Sequence, residues 1–385
     1  MIPYGRQEIC EADIQAVMSV LKSDFLTQGP AVPRFEQCVA EAVNAEYATA
    51  FNSATSALHA SCIALDVGKG DLVWTSPNSF VASANCALYC GATVDFVDID
   101  FRTRNMCIDA LEDKLKIAKR KGTLPKALIV VHFSGNPCEM KIIKKLSETY
   151  GFKIIEDASH AVGAEYGNKK VGSCWYSDIT VFSFHPVKII TSGEGGIATT
   201  NSEKLKEKLD LFRSHCITRS PDKFSNPERG GWYYEQLGLG YNYRMSDIQA
   251  ALGFSQFQQL EFFLQERERV RARYDQYLSQ LPLTLPKVAK GTRSSWHIYV
   301  VNFQGRNAKE LRAYAFKEMR SRGIGVNVHY IPIHLQPYYA DFGFKRGDYP
   351  SAEKYYDSAI TIPIFPSLSE REQNHVIRTL KEITE

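Results

Sequence analysis

The chain has 385 residues, enough for two domains and a sizeable core at the usual ~100 to 200 residues per domain. Hydrophobic residues make up 44% and charged residues 23%, with a net charge of +3, which points away from disorder and from a polyanionic partner such as nucleic acid. No apolar run approaches the ~20 residues of a membrane span, MIPYGRQEICEADIQ lacks a leader's apolar stretch, and the nine cysteines are odd in number without a CxxC pair; a cytoplasmic protein with no membrane span, zinc ribbon or disulfide framework is expected.

Ile14, Val17, Met18 and Leu21 lie on a helical stripe that FLTQGP interrupts, and a second helical pattern covers 35–43. Strands and helices then alternate. Extended runs at 47–51, 72–75, 93–97, 126–132 and 152–155 are separated by helical patterns at 56–65, 80–88, 108–118 and 141–150. Lys114, Lys116, Lys119, Arg120 and Lys121 cluster, but Ile108, Leu111, Leu115 and Ala118 run through the same segment at helical spacing, so the cluster reads as a solvated helix face. Alternation of this kind argues for βαβ units around a largely parallel sheet, the α/β class, with ligands at the carboxyl ends of the strands. Two further extended runs, 179–184 and 197–200, flank Lys188, and Gly193, Gly195 and Gly196 permit a tight reversal between them. A helix follows at 203–212, then a polar stretch over 214–240. The segment 245–281 reads as a long helix, continuous or interrupted, inside which the domain boundary is placed: a large domain over 1–255 and a smaller C-terminal α/β domain over 256–385. In the latter, strands are expected at 297–303 and 326–331 and helices at 309–322 and 370–383.

The polar motifs fall at the predicted strand ends. Lys188 sits among apolar and glycine residues two positions after Pro186, where burial would lower its pKa and free the amine to attack a carbonyl; the alternative is a solvated charge. NSATSA, residues 52–57, lies between a strand and a helix, so Ala54, Thr55 and Ser56 either cradle a phosphate at a helix N-terminus or include an ordinary cap. Asp157 either holds a protonated ring nitrogen or caps the next helix. Asp157 and His160 lack a third metal ligand, so no metal is expected. Phe80 either stacks on a planar ring or packs in the core. Ser183 either donates to a phosphate or faces a neighbouring strand. Asn242 and Arg244, in GYNYRMSD, suit an anion or an exposed loop before a helix. One cofactor, pyridoxal 5'-phosphate, calls for an imine-forming lysine, a ring-nitrogen acid, an aromatic neighbour and a phosphate cradle together.

On FNSATSAL, EDASHAVGAEY, VFSFHPVKIITSGEGG and GYNYRMSDIQAALG, in this order and spacing, the chain resembles the DegT/DnrJ/EryC1/StrS sugar aminotransferases, and the likeness runs from FLTQGP to IPIFP. The resemblance implies a fold-type I pyridoxal-phosphate transferase in which Lys188 and Asp157 are catalytic, Lys188 as the covalent anchor and Asp157 as the partner of the ring nitrogen. It implies that Phe80 lies against the ring, that Thr55, Ser56 and Ser183 hold the phosphate, and that Ala54 and His160 belong to the cofactor site. Asn242 and Arg244 would reach the phosphate of a neighbouring subunit, making a homodimer with shared sites, while Thr27, Gln28, His329 and Tyr330 would touch a nucleotide-sugar substrate. The implied reaction moves an amino group from L-glutamate to a nucleotide-linked 4-keto-6-deoxy sugar, with UDP-4-keto-6-deoxy-N-acetyl-L-altrosamine favoured. Relatives that instead remove a sugar hydroxyl carry histidine at the lysine position, whereas Lys188 is present here; no basic arm supports a role as a regulator. After Arg213, Ser214 and His215, Cys216 stands where many relatives have glycine.

Overall fold

The computed structural model describes residues 1–225 and 230–385. Seven strands build the central sheet: β1 (Tyr47–Phe51), β2 (Leu72–Thr75), β3 (Thr93–Phe96), β4 (Ala127–Val131), β5 (Lys153–Asp157), β6 (Ile179–Ser183) and β7 (Gly196–Thr200), in spatial order β1-β7-β6-β5-β4-β2-β3. All pairings from β3 through β6 are parallel, and β7 runs antiparallel to both β6 and β1. The sheet is thus largely parallel, as the alternation of elements predicts.

Strands such as ALIVV and ITVFS are buried along their whole length because helices cover both faces. The period of two then sorts the side chains. Ile129, Ile155 and Val181 face one core, shared with Ala57, Leu58 and Ala82 of the helices Ala54–Ala64 and Ala82–Tyr89. Leu128, Val130 and Ile154 face the opposite core, with Leu111, Leu115 and Ile143 from the helices Ile108–Lys121 and Met140–Tyr150. By the same alternation Asp157 and Ser183 share the face of Ile155 and Val181, at the carboxyl ends of β5 and β6.

The expected long helix is interrupted: Asp247–Phe257 and Leu260–Leu278 are separate helices. Phe263 and Leu264, at the start of the second, belong to the core beneath β6 and β7, whereas Val270, Tyr274 and Leu278 belong to the C-terminal core. That second core covers a small antiparallel sheet of β8 (Leu283–Thr284), β9 (Tyr299–Phe303) and β10 (Ala359–Ile362), flanked by the helices Ala308–Ser321 and Glu370–Thr384. The strand expected at 326–331 does not form. Only Asn327 pairs, through a single bridge to Thr361, after which the backbone diverges and carries His329 and Tyr330 toward a cavity between the cores. Its apolar alternation reads as a strand, but β10, preceded by the helix Pro350–Ser358, takes the sheet position; neither is evident from the sequence pattern.

Candidate active site

A cavity of about 660 Å³ opens at the carboxyl ends of β5 and β6. Ala54, Thr55, Phe80, Asp157, His160, Ser183, Lys188, His329 and Tyr330 all line it. Nine of the predicted positions, drawn from segments up to 276 residues apart in the chain, therefore meet in one place.

Lys188 owes its position to a tightly tied loop between β6 and β7. Phe184 N–H donates to Gly195 O at 2.9 Å, Ser192 N–H to Phe184 O at 3.0 Å, and Lys188 N–H to His185 O at 2.9 Å. Ile189 and Ile190, immediately after the lysine, are buried in the core with Phe35 and Phe184. The amine is held where burial lowers its pKa to about 8, partly opposed by the charge of Asp157. This decides against a freely solvated charge.

Asp157 is the last residue of β5, and turns rather than a helix follow it, so the capping alternative falls. Its carboxylate accepts Ser83 Oγ–H at 2.6 Å on Oδ2 and Ser159 N–H at 3.1 Å on Oδ1. Phe80, 58% exposed, is not a core residue either; its ring stands at the cavity edge with its centroid 6.2 Å from that of Tyr330.

The cradle is the first turn of the helix Ala54–Ala64. Ser53 is its N-cap, accepting Ser56 N–H at 3.1 Å, so capping and anion binding coexist here. The N–H groups of Ala54 and Thr55, in the first turn, have no intrahelical acceptor and are suited to a phosphate. Ser56 itself donates its hydroxyl to Asn52 Oδ1 at 2.7 Å and does not line the cavity, unlike the prediction for it. Ser183 does line it, brought close by the register Ser183 to Gly196 across β6 and β7. Gly196 is needed for this contact, because a Cβ there would lie 2.5 Å from Ala54 N. Gly196→Ala is expected to lower the thermal midpoint by an amount equivalent to about 1–3 kcal/mol of overpacking and to weaken cofactor retention. An unchanged midpoint in a thermal scan would show that the turn yields.

A wall of neutral rings closes the other side. His160 stacks on Tyr330 with centroids 6.1 Å apart and lies 4.4 Å from His297. Its Nδ1 accepts Ser134 N–H at 3.3 Å, leaving Nε2–H for Tyr330 Oη at 3.1 Å. Burial and the nearby Lys188 charge hold His160 and His297 well below the ordinary imidazole pKa and bring His329 to about 3. Burial, with the Asp157 charge, likewise raises Tyr330.

Thr27, Gln28, Asn242 and Arg244 lie outside the cavity lining of this single chain. They form a second group: Thr27 bridges to Ser246, and Asp247 accepts the N–H groups of Gly29 and Ala31, each at 2.8 Å, joining FLTQGP to the segment that carries Arg244. Near them His215 and Cys216 adopt φ of 61° and 53°, so Cys216 keeps the left-handed conformation for which glycine is suited. Ser53, Ser79, Ser159, His185, Glu194, His297 and Asn327 line the cavity without having been predicted. Ser53 was legible as a cap; the others carry no local signal.

An amine with a depressed pKa, a buried carboxylate with a free side toward the cavity and a helix-turn cradle fit pyridoxal phosphate. The DegT/DnrJ/EryC1/StrS aminotransferase family matches residues 7–381. The chain belongs to that family. A Campylobacter jejuni member, UDP-4-amino-4,6-dideoxy-N-acetyl-beta-L-altrosamine transaminase, is 36% identical over 390 residues, covering 100% of this chain and 98% of that one. PseC of Helicobacter pylori, an aminotransferase of pseudoaminic acid biosynthesis, superposes with a TM-score of 0.90 at 31% identity, covering 100% of this chain and 99% of that one. Spr1654 of Streptococcus pneumoniae, in its PLP form, superposes with a TM-score of 0.90 at 28% identity, covering 100% and 98% of the two chains. This DegT/DnrJ/EryC1/StrS protein is accordingly a fold-type I aminotransferase whose cofactor is pyridoxal 5'-phosphate.

Proposed function

We propose that the enzyme transfers an amino group from L-glutamate to a nucleotide-linked 4-keto-6-deoxy sugar, with UDP-4-keto-6-deoxy-N-acetyl-L-altrosamine the first candidate, and that it acts in the cytoplasm as a homodimer. The observation that carries this reading is the convergence of Lys188 and Asp157 on one cavity with the Ser53–Thr55 turn. The likeness to the C. jejuni transaminase and to PseC supports the sugar class. The nine free thiols suit a reducing compartment. The group around Thr27 and Arg244, set outside its own chain's cavity, suits a contribution to a partner's site.

The cofactor, when bound, supplies a carbonyl that takes up amines and a ring that withdraws electrons from the carbon next to the nitrogen. In this reading Lys188 holds the cofactor, and its Nζ, once released, carries a proton from the donor's α-carbon to the cofactor side and back toward the sugar carbon in the second half-reaction. Asp157 keeps the ring nitrogen protonated. Ala54, Thr55 and Ser183 hold the phosphate, Phe80 bounds the ring's edge, and the lowered basicity of His160, His297 and His329 makes these imidazoles weak proton acceptors beside Lys188. His329 and Tyr330 face the substrate side.

A panel of UDP- and dTDP-linked keto sugars offered with glutamate tests the assignment. The expected result is a 4-amino product from the UDP-linked altrosamine precursor, formed in equal amount with 2-oxoglutarate. Turnover of dTDP sugars alone, or of no sugar, would overturn the substrate assignment.

A further inference from the structure

The cavity floor contains a feature the reaction scheme above does not use. Asp157 is approached from the helix Ala82–Tyr89, which packs beside β2 and β3, by Ser83, which is fully buried, and Ser83 Oγ is in turn 2.7 Å from Ser79 Oγ, on the cavity wall. The direction of this chain of hydroxyls is fixed. Ser83 has one proton, donated to Asp157 Oδ2 at 2.6 Å, so Ser79 must donate to Ser83. Ser83 stands in the first turn of its helix, whose N-terminal partial charge favours a carboxylate in front of it. Lys188 and Tyr330 face the same carboxylate electrostatically from the loop after β6 and from the segment after Asn327, and Ser159 N–H fixes its other oxygen.

We propose that Ser83, backed by Ser79, is a positioning residue for the transamination: the two hydroxyls hold the Asp157 carboxylate in the orientation in which it meets the cofactor's ring nitrogen, and thereby help keep that nitrogen protonated. This rests on the reading of Asp157 as the ring-nitrogen partner. Two hydrogen bonds to its two oxygens hold the carboxylate plane in one orientation, with further lone pairs on both oxygens left for a third partner. A charge-assisted O–H···O⁻ contact of this length is of the stronger kind, and a buried hydroxyl chain polarises along its length.

The test uses the enzyme reconstituted with cofactor labelled with ¹⁵N in the ring, comparing the ring-nitrogen chemical shift and the cofactor dissociation constant among variants. Ser83→Ala is expected to move the shift toward the unprotonated value and to weaken cofactor binding about tenfold or more, with a melting curve of the cofactor-free protein that still shows a folded state. Ser79→Ala is expected to move both readouts in the same direction by less, and Ser83→Thr, which keeps the hydroxyl, to restore them. A purely structural serine would not move the ring-nitrogen shift. Wild-type shift and affinity in Ser83→Ala, alongside a displaced shift in Asp157→Asn, would overturn the relay while leaving the Asp157 assignment standing. An unmoved shift in Asp157→Asn would overturn that assignment and the relay with it. Should Ser83→Ala fail to fold, Ser79→Ala decides, and wild-type values there overturn the proposal.

Discussion

The Lys188→Ala protein is expected to fold, to bind pyridoxal phosphate without covalent attachment, and to lose turnover by about 10⁴-fold or more, since both the covalent anchor and the proton carrier are removed together. Borohydride reduction followed by intact mass measurement checks the attachment: wild type should gain the cofactor's mass less one oxygen, lost as water when the imine forms and before the reduction, and the variant should not. Retained full transamination in the variant would falsify the assigned role. The same residue has a consequence for the cofactor-free protein. Burial brings the Lys188 pKa to about 8, below the ~10.4 of a lysine in the unfolded chain. The unfolded chain therefore holds the extra proton between these values, and stability contributed by this site rises with pH across that window. Below pH 8 the cost of the buried charge is complete, with an upper limit of about 3 kcal/mol. Cofactor-free wild type should thus gain on cofactor-free Lys188→Ala in thermal midpoint between pH 7 and pH 10, the paired comparison cancelling other titrations. Parallel midpoints across that range would show that the amine titrates as it would in water.

The residues around the lysine were legible because their chemistry is local. Lys188 lies between two extended runs and beside glycines that allow the reversal, and Asp157 ends an apolar strand; the parallel sheet then brings strand ends together without further information. Ser83 shows where such reasoning stops. In SPNSFVASANC it is an unremarked small residue in a helix, and its importance comes from an acceptor 74 positions away. His297 is likewise placed by tertiary contacts: the buried Arg267 Nη1 donates to Trp296 O at 3.2 Å and to His297 O at 3.1 Å, fixing the segment against the cavity. The error at 326–331 has a related cause. Val326 and Val328 alternate with polar residues as in a half-buried strand, but His329 Nδ1 is engaged by Thr361 Oγ1 at 2.8 Å and Tyr330 by His160, and these side-chain contacts outweigh continued backbone pairing. Phe80 is ambiguous for a different reason: an aromatic after a strand reads as core, whereas the tertiary arrangement leaves this one exposed at the cavity edge.

Asp157→Asn is the second substitution with a large expected effect, a fall in turnover of about 10²- to 10⁴-fold in a protein that still folds. The two oxygens of Asp157 accept from Ser83 Oγ–H and Ser159 N–H. An asparagine has only one acceptor oxygen, so one of those donors would face an amide NH₂ and lose its partner, at a cost of about 1–3 kcal/mol in stability. The larger effect is on chemistry. A neutral amide cannot hold a proton on the opposing ring nitrogen, and without that positive charge the ring withdraws electrons poorly when Lys188 removes the α-proton. The loss should therefore appear mainly in kcat of the glutamate half-reaction, followed by stopped-flow absorbance, with cofactor still attached to Lys188. A variant with an unchanged half-reaction rate and only a lowered thermal midpoint would return Asp157 to a purely architectural role at the end of β5.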